Sequence, residues 1–178
     1  MKKIISLFLV AIMVLTFVAC GKDKSTNDTT EATNNNNKPA ATVARDDSFV
    51  TGDLVLNIGE AIPSDKLTTV LGEPLDKQSA PSCHYDGNDT IYIYDGIVIY
   101  TYADGDSEIV YLVELSSDTY TAKGDTKVGM TADEVKAILG TPTQETAVSL
   151  VYEVSDTTAI RFTLADSVVS MIEYEEVI

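Results

Sequence analysis

Leu-Gly-Glu-Pro at residues 71–74 and Leu-Gly-Thr-Pro at residues 139–142 are two copies of one helix-ending signal, 68 residues apart. Glycine favours the position just after a helix, and proline prevents the helix from continuing, so each copy predicts where a short helix stops. An apolar residue followed by glycine, at residues 58–59 and 128–129, precedes each segment. The duplication predicts two tandem repeats, each with one short helix.

The two predicted helices differ in how their beginnings are marked. In the first, over residues 65–71, Ser64 is the predicted N-cap. In the second, Thr131 and Glu134 form a capping-box pattern, in which each side chain accepts a hydrogen bond from the other residue's backbone amide. Because helices this short must pack on another element to be stable, we expect both to lie on a sheet.

After each predicted helix, the apolar residues change to a period of two, which is typical of strands. Three strands are predicted in each half, over residues 91–94, 97–102, 109–115, 150–154, 159–164 and 168–174. The short turns between them require antiparallel pairing. We therefore predict an α+β fold of two tandem repeats. Each repeat is a short helix (or helical pair) packed on an antiparallel meander of about three strands, and together they form one continuous sheet.

The beginning of the chain has the pattern of a lipoprotein signal peptide. In residues 1–19, two lysines precede a nearly unbroken apolar run, and Ala19 lies directly before Cys20. The polar composition of residues 20–48 predicts a disordered linker behind a lipidated Cys20. A plain secreted protein and an uncleaved anchor are the alternatives.

The rest of the chain is predicted to be the folded part, with repeat 1 over residues 49–118 and repeat 2 over residues 119–178. The lipid on Cys20 would attach the protein to the membrane at its extracytoplasmic face. The linker composition is typical of a Gram-positive surface.

The folded part is strongly acidic. Residues 49–178 carry 23 acidic and six basic side chains, within a net charge of −16 for the whole chain. Such a domain is repelled by nucleic acid and by anionic lipid, so we predict no nucleic-acid partner and favour a basic or neutral one. The simpler interpretation is that the acidic residues keep the protein soluble.

Tyrosines supply the candidate binding face. All nine lie beyond residue 84, and the period of two places Tyr92 with Tyr94 and Tyr100 with Tyr102. Tyrosine gives a large contact area at low entropic cost, although strand propensity alone also explains tyrosines in strands. The candidate face comprises Tyr92, Tyr94, Tyr100, Tyr102, His84 and Asp89.

Cys83 and His84 form the single thiol–imidazole pair. Neighbours in a strand point to opposite faces, so we do not expect the two side chains to act as nucleophile and base. We expect Cys83 to be buried and His84 to be exposed. No catalytic residue is predicted, although a carboxylate acid/base pair stays open.

Asp104, Asp106 and Glu108 alternate as ligands do in some calcium loops. The pattern lacks the glycine and the distal glutamate of a calcium-binding helix-loop-helix, and Asp-Gly at residues 104–105 is more simply a hairpin turn. We therefore predict no metal site and no cofactor.

The Leu-Gly-x-Pro helix followed by three strands resembles the β-lactamase-inhibitor-protein-like (BLIP-like) fold, which includes small outer-membrane assembly lipoproteins of the BamE/SmpA type. The second half matches over residues 128–142 and 168–172. The first half is similar to a group of uncharacterised Firmicutes surface lipoproteins. It shares with them Ser82, Cys83, Gly87, Tyr92, Tyr94, Thr101 and Tyr102. The resemblance implies protein binding through one sheet face.

We predict a lipid-anchored extracytoplasmic binding protein that recognises a surface or secreted protein or peptide through a tyrosine-rich sheet face, and that is not an enzyme. One alternative is an envelope carbohydrate-binding accessory or a carboxylate-based enzyme. A second alternative is an inhibitor of a secreted hydrolase, which rests on fold analogy alone.

Overall fold

The computed structural model describes residues 43–177, which belong to one unit of the chain. The predicted signal peptide at residues 1–19, Cys20 and most of the predicted linker lie outside the described residues. Strands account for 46% and helices for 14% of the described part. The molecule is therefore mostly β.

Ten strands and two α-helices follow one another along the described chain. Strands β1 (Phe49–Thr51) and β2 (Leu54–Leu56) form a hairpin, which is followed by helix α1 (Ser64–Leu71). Four strands come next: β3 (Asp76–Pro81), β4 (Asn88–Tyr94), β5 (Ile97–Asp104) and β6 (Ser107–Leu115). After a 3-10 turn (Lys123–Asp125) and helix α2 (Ala132–Leu139), the remaining strands are β7 (Gln144–Glu145), β8 (Ser149–Glu153), β9 (Thr158–Ala165) and β10 (Val168–Glu176).

The predicted architecture of two helix-plus-meander repeats is wrong. Strands β3 to β10 form one eight-stranded antiparallel sheet in the order β3-β4-β5-β6-β10-β9-β8-β7, beside the separate β1-β2 hairpin. Strands β6 and β10 pair in the middle of this sheet, where Leu115 lies opposite Ile172 and Val113 opposite Tyr174. All four of these side chains are buried, so the predicted boundary at residue 118 does not divide the core.

The sequence prediction missed the two edge strands. All six residues of β3 are exposed and none has a large apolar side chain, so β3 lacks the alternation that marks a half-buried strand. Strand β7 has two residues, which is too short for any periodicity. The six strands that were predicted from alternation are all present, with bounds that differ by a few residues.

One face of the large sheet carries the core. Ile97, Ile99 and Phe162 are fully buried there, in one apolar cluster with Leu67 of α1 and Val135 of α2. The hairpin contributes to the same cluster, and the Phe49 ring packs edge-on against Tyr174 with the ring centroids 5.9 Å apart. The helices and the hairpin therefore cover this face, which we call the covered face.

The two helices begin differently and end alike. The capping box of α2 is confirmed: Glu134 donates its backbone N–H to the Thr131 hydroxyl, and Thr131 donates its own to the Glu134 carboxylate. The prediction for α1 is wrong, because Ser64 is the first helical residue and Pro63 stands at the cap without a side-chain bond.

Gly72 and Gly140 end the helices with φ angles of 79° and 83°, which residues with a side chain rarely adopt. Each donates its N–H to a carbonyl four residues back, at 3.0 Å and 2.9 Å respectively. The duplicated Leu-Gly-x-Pro segments therefore do end the two helices.

The folded part begins before the predicted boundary at residue 49. Asp47 is 6% exposed and lies 3.0 Å from the Arg45 guanidinium. Burial alone would raise the pKa of Asp47, but the nearby Ser155 hydroxyl and the Arg45 guanidinium hold it below its usual value. Asn57 donates to the Val43 carbonyl at 3.2 Å. The end of the predicted linker is thus part of the fold.

We expect Asp47→Asn to lower the free energy of unfolding by about 1–3 kcal/mol, since it weakens a buried charged hydrogen bond. Asp46→Asn is the matched control, because the Asp46 side chain is 96% exposed and, within the described part of the chain, is bonded only to Lys123. We expect an effect within about 0.5 kcal/mol. Denaturant unfolding measures both. Equal effects for the two variants would contradict the burial argument.

The stability difference between wild type and Asp47→Asn should also depend on pH. Folding lowers the pKa of Asp47, so its contribution is fully present above the unfolded value of about 3.9 and is lost as pH falls through the folded pKa. The difference in stability between wild type and Asp47→Asn should therefore shrink in acid.

Candidate functional site

The face of the large sheet opposite the covered face is called here the open face. In β4, β5 and β6 it takes the residues that alternate with the buried ones, such as Ile91, Val98 and Leu112, and these are partly rather than fully buried. Tyr100 and Tyr102 of β5 lie on it, with Asp89 of β4 directly opposite Tyr102. Three of the six predicted candidate residues therefore belong to this face.

Tyr92 and Tyr94 do not belong to it. Tyr92 pairs with Ile99, and Tyr94 with Ile97, so both rings lie on the covered face, where they are 8% and 6% exposed. The predicted candidate face combined residues from two opposite sides of one sheet. The sequence gives the period within each strand, but the register between strands decides which side each tyrosine occupies.

Four rings on the open face form what we call the tyrosine cluster: Tyr85, Tyr100, Tyr102 and Tyr111. Tyr85 stacks on Tyr102 with ring centroids 3.6 Å apart and an interplanar angle of 8°. Tyr111 lies 5.8 Å from Tyr85, 6.0 Å from Tyr100 and 6.3 Å from Tyr102, measured between centroids. The cluster is thus a contiguous, half-buried aromatic surface.

Tyr85 and Tyr111 were not among the predicted site residues. The β5–β6 register shifts where Tyr100 pairs with Leu112 and Thr101 with Val110, so Tyr111 is the extra residue of a β-bulge. A bulge re-aims a side chain against the simple alternation of the strand. Counting back by two from Glu114 and Leu112 along β6 therefore does not place Tyr111 in the cluster.

The loop between β3 and β4 carries Tyr85 onto the sheet. The Ser82 hydroxyl accepts hydrogen bonds from the backbone amides of His84 and Tyr85, at 3.1 Å and 3.0 Å. The His84 ring meets the Tyr85 ring edge-on at 4.8 Å, so His84 borders the cluster. Cys83 is exposed, and its predicted burial is wrong because it lies in this loop rather than in a strand.

Carboxylates border the cluster on its β6 and β10 side. The Tyr100 hydroxyl donates to Glu114 at 3.4 Å, and the Tyr85 hydroxyl donates to Glu176 at 3.3 Å. Further along β10, Glu175 and Glu173 lie 2.5 Å and 3.9 Å from the Arg161 guanidinium. Among the described residues, these ion pairs involve one cation of the open face, Arg161.

Burial and these acids shift the ionisation of the rings. Burial, followed by the charge of Glu176, raises the pKa of Tyr85 to about 12. Burial also raises the pKa values of Tyr100, Tyr102 and Tyr111. At neutral pH the rings are therefore uncharged hydrogen-bond donors, and the negative charge of the face comes from its carboxylates.

The alternating acids at the β5–β6 turn have a structural explanation. Gly105 has a φ of 59° between the paired residues Asp104 and Ser107, as a hairpin turn requires. The Glu108 carboxylate instead accepts a hydrogen bond from the hydroxyl of Tyr92, which lies on the covered face. The Lys77 ammonium donates to the same hydroxyl at 2.8 Å. Within residues 43–177, no three His, Cys, Asp or Glu side chains are placed to share one metal ion.

A cavity of about 300 Å³ lies beside the 3-10 turn. Lys123, Val50 and the ring of Tyr174 line part of its wall, and Asp125 is its one carboxylate. An acid/base pair of carboxylates is therefore not assembled there.

Between residues 43 and 177, neither helix has the length and apolar character needed to cross a bilayer.

Comparisons with known proteins give little to build on. No protein-family model matches the chain, and no curated protein matches it. A crystal structure of a DUF4309 family protein (YjgB) from Bacillus subtilis subsp. subtilis str. 168 is similar, at 16% identity and a TM-score of 0.44, over 68% of this chain and 82% of that one. No enzyme family is matched, nothing about function follows from a likeness at this level, and the BLIP-like resemblance stays a prediction.

We expect the fold to fail in alkali as its tyrosines ionise. Folding raises the pKa values of Tyr85 and Tyr174 to about 12, so their contribution is fully present below the unfolded value of about 10 and is lost as pH rises through about 12. Phenolate absorbance and near-ultraviolet circular dichroism should change together. Full ionisation near pH 10 with the dichroism intact would show that these rings are not held by the fold.

Proposed function

We propose that this chain is a lipid-anchored extracytoplasmic binding protein that recognises a protein or peptide through the open face of its sheet. The observation that carries the proposal is the tyrosine cluster, because it lies on the face that the described helices and hairpin leave uncovered. Tyrosine is enriched at protein interfaces, where its ring gives contact area and its hydroxyl gives a hydrogen bond.

The rigidity of the cluster supports recognition rather than simple solubility. Tyr100, Tyr102 and Tyr111 are fixed on the two paired strands β5 and β6, and Tyr85 is held by stacking and by its bond to Glu176. Little side-chain entropy remains to be lost on binding, which favours affinity for a given contact area.

The charge of the open face selects a partner with basic side chains. The carboxylates of Glu114 and Glu176 accept hydrogen bonds from rings of the cluster, whereas those of Glu173 and Glu175 lie beside the guanidinium of Arg161. Lysine and arginine side chains would be attracted by this charge and would gain further from contact with the faces of the rings. Nucleic acid and anionic lipid would be repelled.

Attachment through Cys20 and the absence of catalysis are part of the same proposal. The signal-peptide pattern before Cys20 supports lipidation at the cell surface, and the sequence contains no recognised catalytic motif. A binding module needs neither a deep pocket nor an acid/base pair.

We expect Tyr102→Ala to weaken binding of a basic peptide by about tenfold, which corresponds to ~1.4 kcal/mol. Tyr102 supports the stacked Tyr85, so its removal disturbs two rings of the cluster. The probe is a fluorescein-labelled peptide of about ten residues that alternates arginine and glycine, with a glutamate–glycine peptide as the charge control. Fluorescence anisotropy measures the affinity.

Tyr92→Phe is the matched control, because it alters a tyrosine of the adjacent strand on the covered face. Its affinity should equal that of wild type. The open face would be removed from the proposal if wild type, Tyr102→Ala and Tyr92→Phe bound the arginine–glycine peptide equally well. Stronger binding of the glutamate–glycine peptide would have the same consequence. Binding of β-linked oligosaccharides in place of the basic peptide would favour the carbohydrate-binding alternative instead.

We expect Cys20→Ala to prevent lipid attachment and to move the protein from the detergent phase to the aqueous phase in phase separation of whole-cell extracts. Mass spectrometry of the wild-type N-terminus should show a lipidated cysteine, since a chain with two or more acyl groups binds membranes stably. Retention of Cys20→Ala in the detergent phase would point to an uncleaved anchor.

A further inference from the structure

Two carboxylates face each other where the halves of the large sheet join. Glu114 of β6 and Glu173 of β10 are direct partners across the antiparallel ladder, and both side chains lie on the open face. Like charges directly opposite each other in a sheet are destabilising. The pair lies on the fourth and fifth strands of eight, so it cannot relax outward as acids on an edge strand can.

The neighbouring side chains compensate this pair only in part. Arg161 of β9 lies 2.5 Å from Glu175 but 3.9 Å from Glu173, so its guanidinium is committed mainly to Glu175. Glu114 takes part in no salt bridge within residues 43–177, and its polar contact there is the Tyr100 hydroxyl of β5 at 3.4 Å. A cation placed between Glu114 and Glu173 would neutralise the charge that Arg161 leaves uncompensated.

We propose that Glu114 and Glu173 together select a cationic side chain of the bound partner, and that a proton competes with that cation. The proposal rests on the proposed function, because it assigns the partner's cation to one place on the same face. Tyr100 lies beside the pair, so a guanidinium or ammonium held there would also contact the edge of the tyrosine cluster.

The surroundings of Glu173 indicate how pH should affect the competition between the proton and the partner's cation. Burial, followed by the charge of Glu175, raises the pKa of Glu173, Arg161 opposes this shift in part, and Glu114 adds to it. A raised folded pKa means that the free domain is more stable with Glu173 protonated, and loses that stability as pH rises through the interval between the unfolded and folded values. A bound cation would favour the ionised form, so acid should weaken binding.

Glu114→Gln separates stability from binding. The amide keeps an acceptor for Tyr100 and removes the repulsion, so we expect the melting temperature to rise by about 1–4 °C. Affinity for the arginine–glycine peptide should fall about 5–20-fold, because the partner's cation loses a charged contact. Glu73→Gln is the control: it makes the same charge change at an exposed residue after α1, and its affinity should match wild type.

The proton is tested by measuring peptide affinity at about pH 7 and about pH 5, because a raised pKa makes Glu173 take up its proton at a higher pH than an ordinary glutamate does. Both proteins carry His84→Gln, so that the imidazole that borders the cluster takes no part in the comparison. We expect affinity to fall in acid for this reference protein and to change much less when Glu173→Gln is added.

The outcomes separate the two proposals. If Tyr102→Ala weakens binding but Glu114→Gln does not, the assignment of the cation to this pair is overturned and the proposed function stands. The assignment is also overturned if the affinities with and without Glu173→Gln fall equally in acid. If the wild-type protein does not bind the arginine–glycine peptide, both proposals fail.

Discussion

The pairing of β6 with β10 is the constraint on which the rest of the molecule depends. It joins strands that are far apart in the chain, and it aligns Leu115 with Ile172 and Val113 with Tyr174 in the core. Because side chains alternate, this alignment also places Glu114 opposite Glu173 on the other face. The repulsion between the two carboxylates is therefore a direct consequence of the register that buries the core. A shift by one residue would separate the acids but would expose the core side chains.

The tyrosine cluster depends on two further departures from regular structure. The bulge in β6 adds Tyr111 to the open face, and the Ser82-stabilised loop brings Tyr85 over Tyr102. Neither feature contributes to the main core, which is closed on the covered face by the helices and the hairpin. The cluster is thus built on the scaffold without being required by it, as functional sites commonly are on their folds.

Local signals predicted local structure well. The capping box of Thr131 and Glu134 and the helix-ending glycines act within a few residues, so the sequence alone identifies them. The alternation of apolar residues likewise located six of the eight strands of the large sheet. Strand β3 was not found, since none of its side chains is buried and no periodicity distinguishes it from a polar loop.

Assigning residues to faces needs information that lies between strands. Tyr92 and Tyr100 look equivalent in the sequence, yet the register of β4 with β5 places Tyr92 opposite the buried Ile99 and Tyr100 opposite Ile91. The register thus brings Tyr100, Tyr102 and Asp89 to the open face and puts Tyr92 and Tyr94 on the covered face, and His84 lies in the loop beside the cluster. The tandem-repeat interpretation failed because it gave each half about three strands, whereas β3 and β7 extend the large sheet and the β1-β2 hairpin forms a second one.

The two ends of the large sheet have a consequence for a protein that would be concentrated on a surface. An unprotected edge strand is a template on which another copy can add, and repeated addition leads to fibres. Here one edge is a strand of two residues, and the other is the fully exposed β3, whose Lys77 charge and Pro81, without a backbone donor, oppose such growth. Both edges of the sheet therefore oppose the addition of a second copy.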